Sequence, residues 1–193
     1  MRERGARVIA LDRGPGMLAL LRGRTADLPA VVAVGERLPV RDGCADLVTY
    51  AQAWHWVDVA TAAAEAVRVL RPGGALAVWW NQATRGVPWY EAQLDRLEAA
   101  VPGYTREYRS EDYGAQLRAT GLFTSVTGSL TSWTRVLDLD TYERWLRSKS
   151  YVAVLGEGVD DFVASERAHL RAVFPDGRVI EPFTVDLWVA HRS

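Results

Sequence analysis

The stretch from Val59 to Trp80 constrains the fold most, because helix must give way to strand inside it. Val59 to Leu70 is alanine-rich, with Val67 and Leu70 on one face, and Arg71-Pro72-Gly73-Gly74 stops it. Proline there lacks the N–H a further turn needs, and glycine is the usual residue past a helix end. The apolar run Ala75 to Trp80 then reads as a buried strand. The same alternation precedes it. A strand from Arg7 to Leu11 is bounded by Asp12 and Gly14-Pro15-Gly16, and a helical pattern covers Met17 to Arg22. A short strand follows at Val31 to Val34, then the polar link Gly35 to Gly43 and a strand at Asp46 to Ala51. Strands alternating with helices at this spacing predict an α/β fold, a mostly parallel sheet with helices on both faces.

The second half is less regular. Helical patterns at Trp89 to Ala100, Ser110 to Ala119, Leu139 to Ser148 and Val159 to Val173 alternate with strand-like runs at Thr124 to Trp133 and Val179 to His191. The two late strands predict an antiparallel edge hairpin at the C-terminal side of the sheet. No repeat or linker divides the 193 residues, so a single domain is expected, with 1–86, 87–151 and 152–193 as successive regions.

Composition narrows the partners. The formal net charge is -1 and the arginines form no run, which gives no footprint for a phosphate backbone and argues against nucleic acid. No apolar stretch reaches the roughly 20 residues that span a bilayer, so no membrane partner is expected and the location is read as cytoplasmic. The lone Cys44 reads as a free thiol at a strand entrance. A small molecule is the expected partner, and the oligomeric state is left open.

Three stretches in fixed order carry a resemblance. They are Arg7-Val8-Ile9-Ala10-Leu11-Asp12, Gly35 to Asp42 with Ala45-Asp46-Leu47-Val48, and Val67 to Gly74 before Ala75-Leu76-Ala77-Val78. Together they resemble the class I S-adenosylmethionine-dependent methyltransferases, of the type 11 and trans-aconitate methyltransferase-like group. Ala51-Gln52-Ala53-Trp54-His55-Trp56-Val57-Asp58 and Ser148-Lys149-Ser150-Tyr151 are similar to that group too. The resemblance implies a Rossmann-like sheet, S-adenosylmethionine as cofactor and methyl transfer to a small molecule. It also implies a first strand and glycine-rich turn ahead of Asp12, which the sequence does not contain. A misplaced start, a degenerate relative and a separate completing segment each account for that.

By the resemblance, Asp12 accepts from the ribose hydroxyls, a task that suits a carboxylate; its alternative is a helix cap. Arg13 and Met17 are expected beside it, with a core methionine as the alternative for Met17. Gly35 and Glu36 are expected near the adenine, or Glu36 as a solvated loop acid. Ala51 and Gln52 should face the sulfonium. Gly14-Pro15-Gly16 reads as a plain turn, since Pro15 removes an N–H that a phosphate would need. His55 is the one candidate base, against a structural role between Trp54 and Trp56, which are expected to pack against the sheet. Trp79, Trp80, Trp89 and Trp133 line an acceptor pocket or fill core. Val87 to Tyr151 should supply the lid and acceptor pocket, where Arg106, Arg109 and Arg147 could bind an acid or be solvated helix charge. The competing expectation is an inactive remnant or binding subunit.

Overall fold

Three helices begin with the same device. Asp58, Asp112 and Asp138 each use Oδ1 to accept the backbone N–H three residues on, from Thr61 at 2.9 Å, Ala115 at 2.8 Å and Thr141 at 2.7 Å. Each satisfies an N–H that the first helical turn leaves unpaired. The helices they open are α2 (Val59–Val69), α4 (Tyr113–Ala119) and α5 (Leu139–Arg147). The computed structural model describes residues 1–25, 27–104 and 112–193.

The remaining elements are β1 (Ala10–Asp12), α1 (Pro15–Arg24), β2 (Ala30–Val32), β3 (Ala45–Ala51), β4 (Leu70–Ala83), α3 (Pro88–Ala100), β5 (Ser125–Asp138), α6 (Ser150–Ala153), α7 (Val159–Val173) and β6 (Arg178–His191). β1 and β2 form a two-stranded parallel sheet, and a second sheet has the order β3-β4-β6-β5. β3 and β4 are parallel. Arg192 N–H donates to the Gly74 carbonyl and Thr84 N–H to that of Pro182, so β4 and β6 run antiparallel. Thr124 N–H to the His191 carbonyl and Arg135 to Glu181 set the same sense for β5 and β6. The sheet is therefore mixed. The late antiparallel pair is present at one edge of the sheet, with β5 outermost and the chain-ending β6 between it and β4. The Arg71 to Gly74 turn is also absorbed into β4, where pairing jumps from Ala45 with Leu70 to Leu47 with Ala75 and loops the turn out.

The described residues form two compact units, those within 1–80, 112–129 and 187–193, and those within 81–104 and 130–186. In the first, α2 and α4 bury Ala62, Ala63, Ala66 and Leu117 with Leu76, Val78 and Trp80 of β4. Trp80 stacks on Tyr113 at 3.6 Å. A Cβ on Gly114 or Gly128 would stand 2.2 or 2.6 Å from the Trp188 ring, so that indole sets how closely α4 and β5 approach it. In the second unit, Leu94, Leu97, Tyr142, Leu146, Val163, Leu170 and Val179 form the core. No helix among the described residues is long and apolar enough to cross a membrane.

Gly114→Ala should overpack this contact and cost about 2–3 kcal/mol, read as a lowered urea midpoint. The carboxyls of Asp58 and Asp138 are held below their usual value, Asp58 first by the Thr61 hydroxyl and Asp138 first by the Thr141 backbone N–H. Their stabilisation is full above the unfolded carboxylate pKa of about 4 and is lost as pH falls through the lower folded values. Asp138→Asn, which retains an acceptor oxygen, should flatten the acid limb of the pH–stability curve.

Candidate functional site

Asp12 closes β1, and its carbonyl accepts the Ala33 N–H at 3.0 Å, which joins it to the end of β2. Its side chain is half-buried and Oδ1 accepts the Gly14 N–H at 2.7 Å. That bond fixes the turn into α1, which starts with Gly14 as N-cap and Pro15 in its first turn, as expected of a plain turn. A carboxylate offers about four lone-pair positions, so Asp12 keeps acceptor capacity beyond this bond. Arg13 is exposed, and Met17 is 59% exposed, which removes the core alternative for that methionine.

Past β2 the chain turns under Tyr50. Its hydroxyl donates to the Gly35 carbonyl at 2.8 Å. A Cβ at position 35 would lie 2.8 Å from Val57 Cγ1 and 2.9 Å from Tyr50 Cε1, so only glycine fits. Burial pushes the Tyr50 hydroxyl well above its usual pKa, with Glu36 and Glu65 adding to the rise. Glu36 is half-buried, and its Oε1 accepts the Asp58 N–H at 2.9 Å, which ties this link to the start of α2. Gly35 and Glu36 thus meet the segment that follows β3.

Ala51 and Gln52 end β3 on an exposed stretch. Gln52 has φ 57, the one non-glycine residue with positive φ among those described, and its N–H donates to the Trp79 carbonyl at 2.9 Å. A side chain held in this region costs energy, and such strain gathers at functional sites. His55 lies in a 3-10 turn, Trp54–Trp56, and its Nδ1 faces Trp80 Nε1 at 3.3 Å. Indole is a donor only, so this bond makes Nδ1 the acceptor and leaves the proton of a neutral ring on Nε2. Trp54 is fully buried against Tyr50, as expected, but Trp56 is 69% exposed and packs on no sheet. Trp80 fills core, while Trp133 is 42% exposed.

Of the three arginines expected to meet an acid, Arg106 and Arg109 lie outside the described residues. Arg147 pairs with Asp160 at 2.5 Å, so its charge is already met. In the second unit an open groove of about 670 Å³ is bordered by Gln82, Thr84, Arg85, Glu91, Thr184 and Asp186, and there Arg85 is bound by both oxygens of Glu91 at 2.8 and 2.9 Å. The same unit holds a group that the arginine pattern does not indicate. Arg135 Nε donates to the buried Glu181 at 2.7 Å, and its guanidinium lies over Trp145 at 5.1 Å and Phe183 at 5.0 Å. Burial raises the Glu181 carboxyl above its usual pKa, against the pull of Arg135 and Lys149. Tyr90, by the same cause, is pushed up to about 12.

A strand pair ending in a half-buried carboxylate, followed by a glycine link beneath an aromatic hydroxyl, has the form of an α/β ligand site at strand ends. Residues 1–78 match the family model described as a methyltransferase domain. An uncharacterised methyltransferase of Mycobacterium tuberculosis is 45% identical over 87 residues, 45% of this chain and 36% of that protein. The malonyl-acyl-carrier-protein O-methyltransferase of Serratia marcescens is 41% identical over 76 residues, 39% of this chain and 30% of that one. The likeness to a methyltransferase domain is carried by residues 1–78. The matched stretch thus spans about a third of these relatives' length. A solved structure assigned as a type II methyltransferase of Anaeromyxobacter dehalogenans superposes with TM-score 0.62 at 22% identity, covering 97% of this chain and 90% of that one, and it shows the fold.

The strain at Gln52 gives a direct test. Gln52→Gly should raise unfolding stability by about 0.5–1 kcal/mol, since relief of the left-handed conformation exceeds the entropy cost of glycine. The readout is the urea midpoint.

Proposed function

We propose that the chain serves S-adenosylmethionine-dependent transfer of a methyl group to an oxygen of a small-molecule acceptor, a carboxylate or a hydroxyl. The observation that carries this is Asp12, a half-buried carboxylate with acceptor capacity left, at a strand end inside the segment matched by the family model. The oxygen acceptor is carried over from the Serratia relative, whose name is that of an O-methyltransferase.

The residues fit such a cofactor in chemistry. Asp12 accepts from a pair of hydroxyls, and Arg13 and Met17 stand exposed next to it for contact. Gly35 and Glu36 act through Tyr50 and Asp58 by holding the link in place, while Ala51 and Gln52 present exposed backbone and side chain at the end of β3. The cofactor supplies an electrophilic methyl group on sulfonium. What the protein adds to an in-line displacement is alignment and exclusion of water. An ionised carboxylate acceptor requires no base. For a hydroxyl acceptor His55 is the candidate, yet with Nδ1 bonded to Trp80 its neutral ring offers an N–H, and we assign it a positioning role.

A second possibility, a non-enzymatic binding subunit with an incomplete cofactor pocket, is favoured by one observation. β1 and β2 pair only with each other among the described residues, and Ile9, Leu11, Val32 and Leu47 are 50%, 37%, 56% and 41% exposed. A lone two-stranded sheet is marginal in water. Calorimetric titration of this chain with S-adenosylhomocysteine separates the two. Binding that weakens tenfold or more in Asp12→Ala supports the first, since bonds to a charged acceptor are worth about 1.5–3 kcal/mol. No binding supports the second.

A further inference from the structure

Of the two cations beside Glu181 among the described residues, Arg135 is ion-paired with it and Lys149 is not. Lys149 lies half-buried just past α5, with Nζ 4.1 Å from the centroid of the Trp145 ring. Among the described residues it has no ion-pair partner. Arg135 meets one oxygen of Glu181, Oε2, through Nε at 2.7 Å and Nη2 at 2.5 Å, and that ion pair is neutral as a unit. A half-buried ammonium without a counter-charge is costly, and burial together with Arg135 lowers the Lys149 pKa while Glu181 opposes the shift. Trp145 is half-buried, and Trp133, 42% exposed, stacks on Phe183 at 5.1 Å.

We propose that Lys149 and the Trp145 ring form a binding site for a small acid that carries one carboxylate on an apolar body. The one cation without an ion-pair partner sets one negative charge, and the Trp145 ring sets the apolar body. Lys149 supplies the counter-charge as a mobile point charge, while Arg135, locked by Glu181 between Trp145 and Phe183, keeps the Trp145 face in position. That this acid is the methyl acceptor rests on the methyl-transfer proposal; the binding site itself does not.

The test is titration of the full chain with 3-phenylpropanoate and with 3-phenylpropanamide, which differ only in charge. Following the intrinsic tryptophan fluorescence, the acid should bind about tenfold more tightly than the amide, a difference of about 1.4 kcal/mol. In Lys149→Met that ratio should fall to within about twofold, and in Lys149→Arg it should persist. Thermal melts of both variants check that the fold is kept. Equal binding of acid and amide, an unchanged ratio in Lys149→Met, or no binding of the acid at about 10 mM overturns the site. Inorganic phosphate binding as tightly as the acid overturns the apolar half of the proposal. Titration with S-adenosylhomocysteine on the same samples is independent: its failure counts against methyl transfer and leaves the acid-to-amide ratio to decide this site.

Discussion

The candidate cofactor site depends on how one irregular link, residues 33–44 between β2 and β3, is held in place. Backbone bonds such as Ala33 N–H to the Asp12 carbonyl satisfy part of it, and side chains supply much of the rest. Arg68 on α2 donates to the carbonyls of Leu38 and Val40, each at 3.0 Å, and pairs with Glu65 and Asp42. Glu65 in turn accepts the Leu38 N–H at 2.6 Å. Backbone polar groups in such a link must be satisfied somewhere, and here a single arginine-glutamate pair answers several of them. With the far half of the link fixed to α2, the near half can pass beneath Tyr50, where Gly35 leaves no room for a side chain. The positions of Gly35 and Glu36 follow from that anchoring, and Asp58, bonded to Glu36 and capping α2, closes the loop of dependencies.

The second unit contains two buried carboxylates in contrasting settings. Glu166 on α7 is bound by Arg96 Nε at 2.5 Å and Nη2 at 2.9 Å and by Gln93 Nε2 at 3.0 Å, while Gln93 Oε1 accepts the Tyr142 hydroxyl at 2.6 Å. Every polar partner is used, and the network links α3, α5 and α7 in one register. A buried charge in this condition serves specificity of packing more than net stability. Glu181 has Arg135 on one side but a second cation, Lys149, within its field, and its carboxyl sits above its usual pKa because burial outweighs both. One site is closed and structural. The other keeps an excess of positive charge near a partly exposed aromatic surface, which is the condition of a site that receives something.

Much of this was legible in the sequence, and the failures have physical causes. Asp12 at a strand end, the Pro72 to Gly74 turn, the α2 span and α7 follow from short-range rules of proline, glycine and apolar period. The C-terminal end of β5, Asp138 where Trp133 was expected, did not, since a long antiparallel strand gains its extra residues from pairing with its neighbour. The placement of β6 between β4 and β5 is likewise a matter of strand order, a long-range property. Trp56 was read by residue type as a packing group, and core was the alternative for Met17; both are exposed, because hydrophobic residues need not be inside. Arg147 was read as a free charge, but its partner Asp160 lies on another helix, and no spacing rule announces that pair.

Lys149 illustrates the same limit from the opposite side. The motif Ser148-Lys149-Ser150-Tyr151 stood out by resemblance, yet nothing local distinguishes this lysine from the surface arginines around it. Its difference is made by remote residues. Arg135 comes from β5 and Glu181 from β6, so the charge balance that leaves Lys149 over exists only once these strands have paired. A lysine at a helix end is ordinarily a solvated charge favoured by the helix dipole. Packing an already neutral ion pair and an indole face beside it changes its role, because solvent can no longer compensate it fully and a bound anion can.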